Sequence, residues 1–197
     1  MSLMKIRIML PDNLILVRVL AFSLLFGLAL LSLTGAESAK AETGPDTYQA
    51  PAAFLKETFG GEVPDPSLLW LTKDIKPDIT RILGHPLRKL RIRYWRREKR
   101  SVWILEEIGK EEPITTGIVV NGGRIEQVKV LVFRESRGWE VRYPFFTDQF
   151  RQAALTPKDG LDREIDGISG ATLSVNAVTR LARLALYFDK LTSEENE

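Results

Sequence analysis

Thr115-Thr116-Gly117-Ile118-Val119-Val120-Asn121-Gly122-Gly123-Arg124-Ile125-Glu126-Gln127-Val128-Lys129-Val130-Leu131-Val132 decides the fold. Two runs rich in β-branched residues, Thr115–Val120 and Arg124–Val132, flank Asn121-Gly122-Gly123. Asn and Gly tolerate the positive φ of a tight turn, so the stretch predicts a β-hairpin. Upstream, Leu90, Ile92 and Tyr94 alternate with Arg91, Arg93 and Trp95, the period of a strand with one wet face. Val102–Leu105 reads as the next strand, with Glu98-Lys99-Arg100 as the connection. Downstream, Ser136-Arg137-Gly138 marks a third turn leading into Trp139–Tyr143, and Pro144 opens a short helix to about Gln152. A long helix is predicted from Thr172 to Leu191, because Val178, Leu181, Leu184, Ala185, Phe188 and Leu191 recur at helical spacing with Arg180, Arg183 and Lys190 off that face.

Before the first strand, residues 42–52 read as a linker, and a short amphipathic helix spans Pro51 to Phe59, ended by Gly60-Gly61. Pro64 and Pro66 favour an irregular segment, and Pro77–Leu83 reads as a second short helix stopped by Gly84. Strands joined by hairpins and flanked by helices make an α+β fold: an antiparallel sheet with a long C-terminal helix. The expected organisation is a leader at 1–41, linker and short helices at 42–84, the main domain at 85–191, and an acidic tail at 192–197.

The chain has 197 residues, 28 Lys+Arg, 26 Asp+Glu, one His and no Cys, with 44% apolar residues. That is a globular composition. Lack of cysteine excludes disulfides, thiolate metal sites and thiol catalysis, and a single His excludes a multi-His metal cluster. Lys5, Arg7 and Arg18 precede the uncharged run Val19–Leu33, and Ala39-Lys40-Ala41 follows. Basic n-region, apolar h-region and A-x-A site are the pattern of a secretory signal peptide. The run falls short of the ~20 residues that cross a bilayer, although including Leu14–Val17 would make a retained anchor. Either reading places the domain in the periplasm or on the outer face of the cytoplasmic membrane, since the leader's positive charges stay inside. Without the leader, basic and acidic residues are equal in number, so the pI of 8.9 belongs to the targeting segment and does not argue for nucleic acid.

Asp166-Gly167-Ile168-Ser169-Gly170-Ala171-Thr172-Leu173-Ser174 is a Gly-containing turn running into the long helix. Ser169 or Asp166 can cap free amides, and Gly170 allows close backbone approach to a ligand. The helix mouth is a ready anion site, with the Thr172 hydroxyl against any phosphate bound there. The same residues also suit an ordinary helix start.

The Asp-x-x-Ser-Gly-Ala-Thr pattern resembles the flavinylation motif of the FMN-binding domain family. That domain occurs in the Rnf electron-transport complex and in the sodium-pumping NADH:quinone reductase. The hairpin Ile118–Ile125 and Glu135-Ser136-Arg137-Gly138 are also similar to the family, which more often has Pro at the position of Arg137. The similarity covers about residues 85–190. It implies FMN as cofactor, joined through its phosphate to Thr172 by a separate, FAD-dependent, Mg²⁺-requiring flavin transferase that releases AMP. Asp166, Ser169, Gly170 and Ala171 would complete the cofactor-binding motif. A threonine hydroxyl needs a base and a metal to attack a phosphoanhydride, and the sequence offers neither beside Thr172, so self-flavinylation is not expected.

Residues 88–100 hold Arg88, Lys89, Arg91, Arg93, Arg96, Arg97, Lys99 and Arg100 with Tyr94 and Trp95 among them. Nucleic acid could use charges and rings together, but the export signal and balanced charge favour a solvated face or a docking patch for an acidic partner or anionic lipid. His85 reads as a surface or capping residue rather than a haem or metal ligand. Trp70, Trp95, Trp103 and Trp139 read as a group as core. Asp162, Glu164 and Asp166 could form a cation site, with a solvated loop the plainer reading. The expectation is an exported flavoprotein that shuttles electrons between membrane or periplasmic redox partners, with no catalytic residue or resident metal of its own. The alternative is a non-redox adaptor or sensor that binds a partner through the basic strand.

Overall fold

The computed structural model describes residues 47–194. The expected leader, the start of the linker and the last three residues of the acidic tail lie outside the described residues. In chain order the elements are α1 (Pro51–Thr58), β1 (Ser67–Trp70), α2 (Lys76–Leu83), β2 (Arg91–Arg97), β3 (Arg100–Ile108), β4 (Pro113–Asn121), β5 (Arg124–Phe133), α3 (Pro144–Thr147) and α4 (Thr172–Glu194). Two short 3-10 turns, Trp139–Arg142 and Asp148–Phe150, frame α3. The five strands form one antiparallel meander in the order β1-β2-β3-β4-β5. The fold is α+β, as the alternation of periods two and 3.6 dictates.

The hairpin turns where the sequence places it: Asn121 pairs with Arg124, and Gly122 and Gly123 hold φ of 58° and 76°. Two bulges, at Thr115/Thr116 and Val119/Val120, interrupt the β4–β5 register and twist that edge. The inner face of the sheet carries Ile92, Tyr94, Trp103, Ile114, Ile118, Val130 and Phe133 against Val175, Val178, Leu181, Ala185 and Phe188 of α4. The outer face carries Val102, Val119 and Leu131 under Phe54, Leu55 and Phe59 of α1. Gly117 lies directly beneath the Phe54 ring, so a β-carbon there would collide with it.

The span read as linker and short helices contributes more than that reading allows. Ser67–Trp70 pairs with β2 from Ser67↔Tyr94 to Trp70↔Arg91, and α2 places Ile79, Ile82 and Leu83 in the main core. A strand of four residues behind two prolines carries too little periodicity to be read in advance. Gly84 ends α2 in the left-handed conformation at φ 83°, as its sequence predicts. The four tryptophans do not behave as a group. Trp103 is fully buried, stacked on Tyr94 at 4.7 Å, whereas Trp70 and Trp139 are 58% and 42% exposed. Among the described residues, no helix is long and apolar enough to cross a membrane.

Candidate functional site

The helix α4 begins at Thr172, and among the described residues no side chain hydrogen-bonds to its first amides. Ala171 occupies the N-cap position: its carbonyl accepts from the Val175 amide at 3.0 Å, and its own amide donates to the Ile168 carbonyl at 3.0 Å. Gly170, at φ 81°, reverses the chain just before it, a conformation that suits glycine. The expectation that Ser169 or Asp166 caps the helix is therefore corrected. Neither side chain donates to or accepts from the first turn, and Asp166 is held instead through its amide, which donates to Gln149 Oε1 at 2.7 Å. Among the described residues, the amides of Thr172, Leu173 and Ser174 have no acceptor. The Thr172 side chain is exposed, and its hydroxyl has no partner among them. The open end of a 23-residue helix thus presents three N–H groups and a free hydroxyl side by side.

A groove of about 530 Å³ lies over this helix mouth, lined by Lys110, Glu135, Ser136, Arg137 and residues 170–174. The turn that forms its far wall approaches closely. Gly138 has φ 85°, and a β-carbon there would sit 2.5 Å from Ser174 Oγ and 3.3 Å from Ala171 Cβ. Only glycine lets this turn pack onto the first turn of α4. The Ser136-Arg137-Gly138 signal and the Ser169-Gly170-Ala171-Thr172 signal, far apart in sequence, are two sides of one groove.

Glu135 builds the third side. Its Oε1 accepts from the amides of Lys110, Glu111 (2.7 Å) and Glu112 (3.0 Å), which ties the β3–β4 loop to the end of β5. Burial opposes its charge, but the three amides and the Lys110 ammonium outweigh it and hold the carboxyl below its usual range. Glu135 is thus a structural anion, committed to the loop. Lys110 pairs with Glu111 at 2.9 Å with both side chains largely exposed, a link weak enough to be exchanged for another anion. Arg137 is exposed and makes no ion pair among the described residues. The groove thus sets two exposed basic side chains and three helix amides against a single carboxylate, Glu135, which the loop amides already hold. Sequence reasoning does not single out Lys110, and the only signal for it is its tertiary neighbour Glu135.

The other candidates resolve into structural roles. His85 Nε2 lies 2.7 Å from Glu107 Oε1, and Arg180 approaches the same carboxylate at 3.6 Å. Asp162 accepts from the Ala154 amide at 3.0 Å and is reached by Arg124 and Arg163. Asp162, Glu164 and Asp166 do not converge, and no acidic or histidine cluster able to hold a metal occurs among the described residues. The basic stretch 88–100 divides. Arg96 binds the buried Asp189 at 2.8 Å, Arg97 donates to the carbonyls of Phe59 and Glu62, and Arg100 binds Glu126 at 3.0 Å. Arg88, Lys89, Arg91 and Arg93 stay exposed.

Residues 109–187 match the model of the FMN-binding domain. The matched span is narrower than the similarity read from the sequence, running from the β3–β4 loop to the last third of α4, and it contains every residue that lines the groove. No curated protein matches the chain.

Proposed function

From the premise that the chain carries an FMN-binding domain, we propose that it is an electron carrier of the cell envelope with FMN esterified through its phosphate to Thr172. One observation carries the reading: the exposed hydroxyl of Thr172 stands at an uncapped helix mouth, inside the matched domain, between two exposed basic arms. The residues fit the group. The amides of Thr172, Leu173 and Ser174 would hold the phosphodiester, whose single charge a helix N-terminus stabilises by about 0.3–1 kcal/mol. Lys110 and Arg137 would close on it from the sides. When bound, FMN supplies a ring that takes and returns electrons singly or in pairs.

The chain's own residues bind and orient the group; they do not attach it. The carboxylate that lines the groove, Glu135, is occupied by three amides and does not serve Thr172 as a base. A separate enzyme would make the attachment, and the resemblance to the FMN-binding domain family implies an FAD-dependent, Mg²⁺-requiring flavin transferase. A covalent link keeps the flavin at high effective concentration where a dissociable one would be diluted away, which suits a domain exported by its leader to the periplasm or the outer face of the cytoplasmic membrane. Membrane or periplasmic redox proteins would be its donor and acceptor. The test is co-expression with an active flavin transferase, followed by a denaturing gel. Flavin fluorescence in the wild-type band, absent in Thr172→Ala, supports the proposal; a dark wild-type band of unmodified mass overturns it. N-terminal sequencing of the envelope form reads the leader, with a start near Glu42 meaning cleavage.

A further inference from the structure

On the outer face of the sheet, beside α1, the register sets Leu68 opposite Arg93 and Trp70 opposite Arg91. Leu69 and Ile92, the pair between them, point into the core, so the alternation of two strands sorts apolar and basic side chains onto one exposed surface. Leu68 is 43% exposed and Trp70 58%. The Arg91 guanidinium lies 5.5 Å from the Trp70 ring centroid, and a shallow groove of about 360 Å³ runs between Leu68, Lys89, Arg91, Arg93 and Trp95. Arg88, Lys89, Arg91 and Arg93 make no ion pair among the described residues, in contrast with Arg96, Arg97 and Arg100 further along the same stretch. The acidic groups nearby do not neutralise them. Glu106 of β3 accepts from the Thr115 hydroxyl and approaches Arg134, Glu62 belongs to Arg97, and Asp65, ahead of β1, makes no ion pair among the described residues.

We propose that this surface rests on an anionic lipid bilayer, with Trp70 and Leu68 entering the headgroup layer and Lys89, Arg91 and Arg93 meeting lipid phosphates. Charge complementarity selects an anionic partner, and the interleaved large apolar side chains select one that is apolar just beneath its charges. The inference is independent of the flavin.

The test uses the full chain on vesicles of phosphatidylcholine alone or mixed with phosphatidylglycerol, with arginine side chains modified by phenylglyoxal and read by peptide mass spectrometry. The leader's own basic residues can also favour anionic vesicles, so the local surface is read from protection confined to Arg91 and Arg93 and from its dependence on Trp70, with Arg151 as the internal reference. Labelling of Arg91 and Arg93 is expected to fall about threefold or more on the anionic vesicles at low salt and to recover at high salt, while Arg151 is unchanged. Trp70→Ser, at an exposed position that leaves the core intact, is expected to weaken the protection. Equal labelling on the two vesicle types overturns the proposal, and so does protection that Trp70→Ser leaves unaffected.

Discussion

At its C-terminal end, α4 presents Asp189, only 2% exposed, and the polar groups around it are joined to one another except for the buried Arg96 Nε, which has no partner among the described residues. Asp189 Oδ1 accepts from Arg96 at 2.8 Å and from the Ser101 hydroxyl at 2.6 Å, Ser101 accepts from Trp103 Nε1 at 2.8 Å, and Arg96 also donates to Thr192. At its N-terminal end the same helix presents a hydroxyl and three amides with no partner among the described residues. A buried polar network holds only while its members stay paired, and this one locks α4 to β2 and β3. An exposed helix mouth tolerates open donors because water satisfies them, and it is there that a ligand can replace water. One helix thus serves the fold at one end and the chemistry at the other.

If that division is right, substitutions along α4 should separate stability from flavin loading. The largest loss of stability is expected from Asp189→Ala, which leaves the Arg96 charge and the Ser101 hydroxyl without their partner. Breaking a buried pair costs about 3–5 kcal/mol, read as a shift of the denaturant midpoint. Gly138→Ala comes next: a positive φ and the contact with Ser174 together predict a loss of about 1–3 kcal/mol. Unlike Asp189→Ala, it should also reduce flavin loading of the protein that remains folded, because it pushes the groove wall off α4. Equal loading of folded Gly138→Ala and wild type would remove that turn from the site.

Acid should act on the open end through Glu135. Its carboxyl is held below the usual range when folded, so its contribution is present above its unfolded pKa of about 4.3 and is lost as pH falls through the lower folded value. Thermal melts from neutral pH down to about 3 should therefore show a decline that is shallower in Glu135→Gln, which cannot titrate. The smallest effect on stability belongs to Thr172→Ala, at an exposed position, within about 0.5 kcal/mol. Its effect on covalent flavin should be complete, while Thr172→Ser should retain the hydroxyl and the flavin.

The contrast between the ends also explains what could be read in advance. The hairpin, the long helix and Thr172 at its first position are written in local patterns: Asn121-Gly122-Gly123 for the turn, apolar spacing for α4, and Ser169-Gly170-Ala171-Thr172 for the mouth. The lock at Asp189 is not, because a carboxylate on a helix face gives no sign that Arg96 and Ser101 will reach it from two strands. In the sequence, Arg96 reads as one more residue of a basic face. The cap falls to Ala171 because Gly170 turns the chain after Ser169, a detail of φ that residue type alone leaves open. Lys110 and Glu135 meet Thr172 only through the sheet, and β1 hides behind Pro64 and Pro66.

Whether the open hydroxyl of Thr172 carries the flavin is tested most directly by peptide mass spectrometry of protein isolated from cells with an active transferase. One FMN phosphoryl ester is expected, on the peptide containing Thr172, with fragment ions placing it at that residue. An ester at Ser169, Ser174 or any other position, or full-length protein with no ester at all, would contradict it.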